Sequence, residues 1–164
     1  MKLKSFVMLM LVLVACSASY LSANENKMTK QENINYDALK KRAFASAKEG
    51  NSDKAILEIE GVIAQQPDSP WGYKLRGNIF FYMKKYELAL KDFDKVVKLR
   101  PMCANAYVDR AIALMAIEDL DGAKANIERA IELKPMSAFA YCVREKIYLE
   151  IAHSKADAKN KKSG

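Results

Sequence analysis

The feature that most constrains this chain is a spacing of 34 residues that recurs in several columns of residues. Four columns keep this spacing: Pro67, Pro101 and Pro135; Ala55, Ala89 and Ala123; Ile59, Phe93 and Ile127; and Arg42, Arg76, Arg110 and Arg144. A fixed period of this length indicates one supersecondary unit copied along the chain rather than a single closed core. Stacked repeats build extended concave surfaces that hold other molecules. The period therefore predicts a binding protein.

Apolar residues recur with helical spacing between short breaks, and no stretch alternates with period two for long enough to predict a strand. The clearest breaks are Gly50-Asn51 and Pro67-Asp68-Ser69-Pro70, because Gly, Asn and Pro end helices. We predict helices at residues 37–48, 53–65, 71–83, 87–99, 104–116, 121–133 and 138–156.

The columns resemble the signature of the tetratricopeptide repeat family. The signature has a large residue near the start of the first helix and a small residue four positions later. It continues with a small residue where the two helices cross, a bulky residue between them and a closing proline. The large residues are Leu39, Tyr73, Tyr107 and Tyr141, and the small residues that follow them are Ala43, Gly77 and Ala111. The resemblance implies an all-α, right-handed superhelix (α-solenoid) of three helix-turn-helix repeats, at residues 36–69, 70–103 and 104–137. A capping helix at 138–153 completes the expected domain. Ser46 replaces the bulky contact expected in repeat one.

The arginine column has a structural interpretation. Arg42, Arg76 and Arg110 precede Glu58, Asp92 and Asn126 by sixteen residues each. An antiparallel helix pair of this size brings such positions together, so we predict pairing within each repeat. A role in binding is the alternative.

The first fifteen residues have the layout of a secretory signal. Lys2 and Lys4 precede an uncharged apolar run at residues 6–15. Ten residues rise about 15 Å as a helix, which is too short to cross the hydrocarbon core of a bilayer. A basic start, a short apolar stretch and small residues are typical of a signal peptide. A buried N-terminal helix is the alternative, but the run lacks the polar stripe of a surface helix.

Leu13-Val14-Ala15-Cys16 resembles the lipobox of bacterial lipoproteins. The resemblance implies cleavage before Cys16, a lipid on its sulfur with palmitate-type acyl chains, and a membrane anchor. With Ser17 next, it implies the periplasmic face of the outer membrane in the bacterial cell envelope. Cleavage at Ala18 or Ala23, which would release a soluble exported protein, is the alternative. We predict a flexible tether at residues 16–35 and a basic tail at 154–164.

Charge and cysteine content limit the partners. Removing Lys2 and Lys4 lowers the net charge from +7 to +5, and no dense basic stripe with interleaved aromatics is present, so we predict no nucleic-acid binding. With three cysteines, one has no disulfide partner in an oxidising compartment, and lipidation of Cys16 would account for it. Cys103 and Cys142 pair only if their Cα atoms come within about 7 Å. We favour two unpaired thiols.

In the family that the chain resembles, the first helix of each repeat lines a concave groove. Transferred by position, this implies groove residues Lys40, Phe44, Trp71, Lys74, Asn78, Phe81, Tyr82, Asp109, Ile112, Met115 and Phe139, with Val108 and Val143 among further lining positions. An aromatic and methionine-bearing centre with lysines at one end favours an extended or helical peptide of apolar and acidic character. The alternative is that the aromatics pack against neighbours and that the lysines form a solvated face.

One specialised form of the groove is not expected. Some relatives grip the C-terminal carboxylate of chaperones with Lys and Asn on one repeat, Asn on the next and a basic pair on the third. Lys74 and Asn78 have the first spacing, but Asp109 occupies the next position and would repel a carboxylate. The final pair falls on Phe139 and Val143.

No catalytic, cofactor or metal site is predicted. The chain has one histidine, His153, beyond the repeats, and it lacks a Gly-rich phosphate loop, a CxxC pair and a cluster of metal ligands. The sequence therefore favours a lipid-anchored adaptor or scaffold that binds a protein or peptide and is not an enzyme. A self-associating structural module, forming a homo-oligomer, is the second hypothesis.

Overall fold

A computed structural model describes the backbone of residues 30–162 and the side chains of residues 36–157. The described part of the chain consists of helices joined by short turns and contains no strand. The helices are α1 (Lys30–Lys48), α2 (Ser52–Gln65), α3 (Pro70–Tyr82), α4 (Tyr86–Leu99), α5 (Ala104–Ala116), α6 (Leu120–Leu133) and α7 (Ala138–Lys162). One compact unit starts at Tyr36, so it holds α2 to α7 and the part of α1 from Tyr36 onward. The predicted fold class, an all-α solenoid of helical hairpins, is confirmed.

Two helices are longer than predicted. α1 begins at Lys30, inside the predicted tether, and α7 continues to Lys162, through most of the predicted basic tail. Neither segment contains Gly or Pro, and their Lys, Gln, Glu and Ala residues favour helix even without a packed face. The polar residues of these segments show that the ends have no buried core, but they do not exclude a helix, and the predicted helix ends were therefore wrong. The predicted signal, Cys16 and the rest of the tether lie outside the described residues.

The three hairpins are held by small residues at the helix crossings. Ala55, Ala89 and Ala123 are at most 1% exposed. In the second hairpin the constraint is tighter, since a Cβ on Gly77 would lie 2.8 Å from Phe93 Cε1. The other two repeats place Ala opposite the smaller Ile in the core: Ala43 with Ile59 and Ala111 with Ile127. The glycine therefore compensates for the larger phenylalanine.

The turn inside each hairpin repeats the same backbone geometry. Gly50, Lys84 and Glu118, which are 34 residues apart, adopt positive φ values of 83°, 59° and 65°. The following amide closes the helix end by donating to the carbonyl five residues back: Asn51 to Ser46 at 2.8 Å, Lys85 to Phe80 at 2.9 Å and Asp119 to Leu114 at 3.0 Å. This is the left-handed helix cap for which glycine is preferred. Lys84 and Glu118 adopt it without glycine.

The turns between hairpins are tied to the helix that follows. The hydroxyls of Tyr73 and Tyr107 donate to the carbonyls of Pro67 and Pro101, both at 3.1 Å. In the second and third repeats, the large residue near the start of the first helix thus also fixes the preceding proline turn. Cys103, beside one of these turns, is half-buried and Cys142 is exposed; both are free thiols, as favoured above.

The arginine column forms the predicted pairs within each repeat and also forms contacts between neighbouring repeats. Arg76 donates to both carboxylate oxygens of Asp92, at 2.9 and 2.8 Å, and to Glu60 at 3.2 Å. Arg110 donates to Asn126 at 2.6 Å and to Asp94 at 3.2 Å. Each arginine therefore joins the second helix of its own repeat to that of the preceding repeat. The prediction of pairing within repeats is confirmed, and the link between repeats is an addition to it.

The pairs differ in burial. The Asp92 side chain is 5% exposed and the Arg76 side chain 22%, whereas the Arg42 side chain, 3.4 Å from Glu58, is 69% exposed. Burial raises the pKa of Asp92, and the Arg76 guanidinium opposes that rise. Arg76 therefore keeps a buried carboxylate ionised.

We expect Arg76→Leu to lower the free energy of unfolding at neutral pH by roughly 3 kcal/mol, because it leaves Asp92 buried and unpaired. The loss shrinks as the pH falls through the raised pKa of Asp92, since the folded state then takes up a proton and removes the unpaired charge. Urea unfolding followed by circular dichroism at several pH values measures both effects.

The matched control is Arg42→Leu, which removes an exposed pair from the same column and costs less than about 1 kcal/mol. Equal losses for the two variants, or a loss for Arg76→Leu that does not change with pH, would contradict the assignment.

Candidate peptide-binding groove

The first helices of the three repeats share one surface. The rings of Tyr36 on α1 and Trp71 on α3 lie 5.7 Å apart, and Lys74 on α3 reaches Asp109 on α5 at 2.8 Å. The face of α1, α3 and α5 that carries these contacts is called the groove surface below. In stacked helical repeats such a surface is where ligands bind.

An aromatic pair joins α1 and α3 near their C-terminal ends. Phe44 and Tyr82 meet edge to face with ring centroids 6.3 Å apart, and Tyr82 is 54% exposed. Phe81 lies elsewhere: its ring is 5.1 Å from that of Tyr86 and packs on the buried cluster around Phe93. Tyr82 therefore offers apolar area to a ligand, whereas Phe44, which also packs on the buried cluster around Ile59, and Phe81 are only half exposed.

The polar centre of the surface is the Lys74–Asp109 ion pair. The two side chains are 25% and 23% exposed, and Asp109 Oδ2, 2.8 Å from Nζ, has no aligned hydrogen-bond donor. Burial raises the pKa of Asp109, and the ammonium of Lys74 opposes that rise. Each charge is the main partner of the other, so neither is presented freely to a ligand.

Tyr36 belongs to the same site and was missed from the sequence. Burial, with the nearby carboxylates of Asp109 and Asp37, raises its pKa to about 12. Its ring covers one side of Trp71, while the guanidinium of Arg100 lies 5.1 Å from the indole. The sequence did indicate its special role. Tyr36 occupies the repeat position that Pro70 and Ala104 fill in the other repeats, so a bulky side chain at this position is specific to repeat one.

The other predicted groove residues differ in accessibility. Lys40 is exposed, Phe139 is 61% exposed, and Asn78, Ile112 and Met115 are half-buried. Val108 and Val143 are buried, 2% and 5% exposed, in the core cluster of α5, α6 and α7. Their assignment to the groove lining was wrong, because the helical period turns these two positions inward.

A cleft of about 710 Å³ opens where α5 ends beside α7. Its lining combines apolar and acidic side chains with the one histidine: Met115, Ala116, Glu118, Leu120, Glu150, His153, Ser154 and Asp157. Met115 belongs to both the cleft and the predicted groove. Within residues 36–157, no group of three or more His, Cys, Asp or Glu side chains has the arrangement of a metal site.

Comparison with known proteins agrees with the fold. Residues 70–103 and 104–135 each match a family profile described as tetratricopeptide repeat. The matched segments are the second and third predicted repeats. These matches over residues 70–135 support a tetratricopeptide repeat protein.

Several solved structures are similar over most of the compact unit. The first tetratricopeptide repeat domain of Spaghetti (RPAP3), bound to the HSP90 peptide SRMEEVD, is 29% identical with a TM-score of 0.62, covering 71% of this chain and 93% of that one. The second such domain of human RPAP3, in complex with the HSP70 peptide SGPTIEEVD, is 25% identical with a TM-score of 0.60, covering 71% and 97%.

A full-length relative matches over a shorter stretch. RNA polymerase II-associated protein 3 of Xenopus tropicalis is 31% identical over 88 residues, which is 54% of this chain and 13% of the relative. The chain thus corresponds to a small part of that protein. Together, the fold and these similarities support a protein-interaction module. Within the described residues, no helix combines the length and apolar character needed to cross a membrane.

Proposed function

We propose that the groove surface binds a peptide segment of a partner protein. The observation that carries the proposal is the Phe44–Tyr82 pair, whose Tyr82 ring is 54% exposed on the face shared by the first helices. Exposed aromatic side chains on a binding surface are typical anchors for a partner. Similarity to domains that bind short peptides supports the same role.

Charge on either side of the aromatic pair defines the ligand. The exposed lysines Lys40, Lys41 and Lys48 all lie on α1. At the other end, the cleft beside α7 carries Glu118, Glu150 and Asp157. A ligand with apolar side chains at its centre, acidic residues towards α1 and a basic residue towards α7 complements this arrangement.

The ligand is not a chaperone C-terminus held by its carboxylate. The peptides in the similar complexes end in Glu-Glu-Val-Asp, whereas Lys74 here is paired with Asp109. The positions of the expected basic pair hold Phe139 and the buried Val143. The ligand therefore crosses the groove as an internal segment.

The cellular role that we propose is an exported, lipid-anchored adaptor or scaffold in the bacterial cell envelope, on the periplasmic face of the outer membrane. Lys2, Lys4, the apolar run and Leu13-Val14-Ala15-Cys16 support it. Two alternatives stay open: a soluble exported protein, and a self-associating module. Light scattering of the full chain tests the self-associating module, because that alternative requires an oligomer whose mass grows with protein concentration.

Tyr82→Ala is the test of the groove. In a crosslinking capture from native membranes, we expect this variant to recover several-fold less of the proteins captured by the normal chain, because it removes the main exposed anchor. Leu57→Ala, a truncation of another large hydrophobic residue, 68% exposed on α2, is the control and leaves the recovery unchanged. Equal recovery by all three chains would exclude the groove as the binding surface.

A second prediction concerns the carboxylate. The normal chain binds the peptide SRMEEVD no better than the same peptide with a C-terminal amide, and Asp109→Asn strengthens binding of the acid form by about ten-fold, because Lys74 is released and a repelling charge is removed. Fluorescence anisotropy with labelled peptides measures both. Adding Lys74→Met to Asp109→Asn abolishes the gain. Strong, carboxylate-dependent binding by the normal chain would refute the proposal.

Lipidation is tested at Cys16. Cys16→Ser keeps the size and polarity of the side chain but removes the thiol, so we expect loss of palmitate incorporation and release from the membrane fraction of an expressing bacterium. Cys142→Ser, at the exposed thiol, is the control and retains both. Mass spectrometry of the N-terminal peptide reads the modification directly; an unmodified Cys16 in the normal chain would rule out the anchor.

A further inference from the structure

The capping helix α7 occupies the place of the first helix of a fourth repeat. In α3 and α5, the arginine of the repeated column lies over the tyrosine three residues before it, 6.0 Å and 5.4 Å from the ring centroid. α7 keeps this arrangement, with the guanidinium of Arg144 4.8 Å from the ring centroid of Tyr141. α7 therefore repeats the face of a first helix, although no second helix follows it within the described residues.

That face is covered in the earlier repeats and open in α7. In the second repeat, the second helix packs on it and Asp92 accepts two hydrogen bonds from Arg76. On α7, Tyr141 is 38% exposed and Tyr148 is 43% exposed. Within residues 36–157, no carboxylate forms an ion pair with Arg144. The arginine of α7 thus lacks the acceptor that a packed helix supplies to Arg76.

One stripe of α7 makes up the open face. Residues three or four positions apart lie on the same side of a helix. The stripe, called the cap face below, consists of Tyr141, Arg144, Glu145, Tyr148 and Ala152. Tyr148 donates to Glu128 of α6 at 3.3 Å, and its ring lies 5.4 Å from the ammonium of Lys124. Both tyrosine rings are therefore oriented before a partner binds, which lowers the entropic cost of docking.

A helix packed as in the hairpins does not fit the cap face. The small-residue position of the first helices holds Ala43, Gly77 and Ala111, but α7 places Glu145 there. In the second hairpin, one added methyl group on Gly77 would already lie 2.8 Å from Phe93. An occupant of the cap face must therefore stay farther away than a hairpin partner, and it must offer a cation to Glu145.

We propose that the cap face pairs with the cap face of a second copy of the chain, with the two α7 helices antiparallel. Tyr141 lies three residues before Arg144. Tyr148 lies three residues after Glu145, so the stripe has the same spacing in both directions. A two-fold axis between residues 144 and 145 therefore places Tyr141 beside Tyr148 of the second copy. The same axis brings Arg144 to the level of Glu145 of the second copy.

Charge complementarity favours a second copy over another helical partner. Arg144 needs an acceptor and Glu145 needs a cation, and one antiparallel copy provides both in a single contact. The small side chain of Ala152 allows the two helices to approach at the end of the stripe. The stripe is about 17 Å long. Because this is less than a standard interface provides, we expect the dimer to dissociate at roughly micromolar concentrations.

The dimer goes beyond the proposed groove function and leaves the groove open. Phe139 precedes Tyr141 by two residues, and Lys146 follows Arg144 by two. Residues two positions apart are separated by about 200° around a helix, so these two groove positions lie on the side of α7 away from the cap face. A peptide in the groove and a second copy on the cap face therefore occupy different sides of α7.

Charge reversal in the full chain tests the pairing. Arg144→Glu leaves two neighbouring carboxylates on the cap face, and Glu145→Arg leaves two neighbouring cations. We expect each variant alone to associate at least about ten-fold more weakly than the normal chain, because like charges meet. A mixture of the two variants associates again, since each then carries the charges that the other needs. Sedimentation velocity with one variant fluorescently labelled measures both results.

The mixture also controls for folding, because two misfolded chains would not restore each other's association. Lys146→Glu, which reverses an exposed charge on the other side of α7, is the matched control and leaves the dimer unchanged. Tyr82→Ala, which tests the groove, also leaves it unchanged. The failure of the cap face and the failure of the groove are therefore distinguishable.

Three results would overturn the proposal. A normal chain that sediments as a monomer up to high concentration excludes the dimer. A mixture that associates no better than the separate variants excludes antiparallel pairing through Arg144 and Glu145. An oligomer that grows beyond two copies assigns the association to a different surface.

Discussion

The close approach of two helices at one small residue is the constraint on which the rest of this structure depends. Ala55, Ala89 and Ala123, at most 1% exposed, let the hairpins close, and only closed hairpins can stack in register. Gly77 shows how strict the requirement is, because a single methyl group there would lie 2.8 Å from Phe93. Stacking then aligns the arginines. Arg76 and Arg110 each bind the second helix of their own repeat and the second helix of the preceding repeat.

The 34-residue period made most of the fold predictable, because residues at equivalent positions of the repeats have equivalent environments. The pairing of Arg76 with Asp92 followed from a spacing of sixteen residues found in three repeats. The ends of the fold followed less well, because α1 and α7 extend through polar segments that no repeat position constrains. At the groove, the link between Lys74 and Asp109 was missed because the two residues differ in repeat and in column. Val108 and Val143 were misplaced because family position alone does not give the direction of a side chain.

The exposed apolar area of the repeats lies in two separate regions. The aromatic pair of Phe44 and Tyr82 lies on the face of the first helices, whereas Met102 and Met136 project from turns at the rim. Asp109 determines the character of the groove, because its carboxylate holds the lysine that a carboxylate-terminated ligand requires.

The unequal burial of the arginine column has a consequence for the order of unfolding. Arg42 is 69% exposed beside Glu58, whereas Arg76 and Arg110 are 22% and 24% exposed and each contact two helices. Because each hairpin of a solenoid is stabilised by its neighbours, we expect the terminal first hairpin, whose own arginine pair is exposed, to open before the central one. A ligand that touches both Phe44 and Tyr82 binds only while that hairpin is docked. Occupancy of the groove and closure of the first hairpin are therefore one coupled equilibrium.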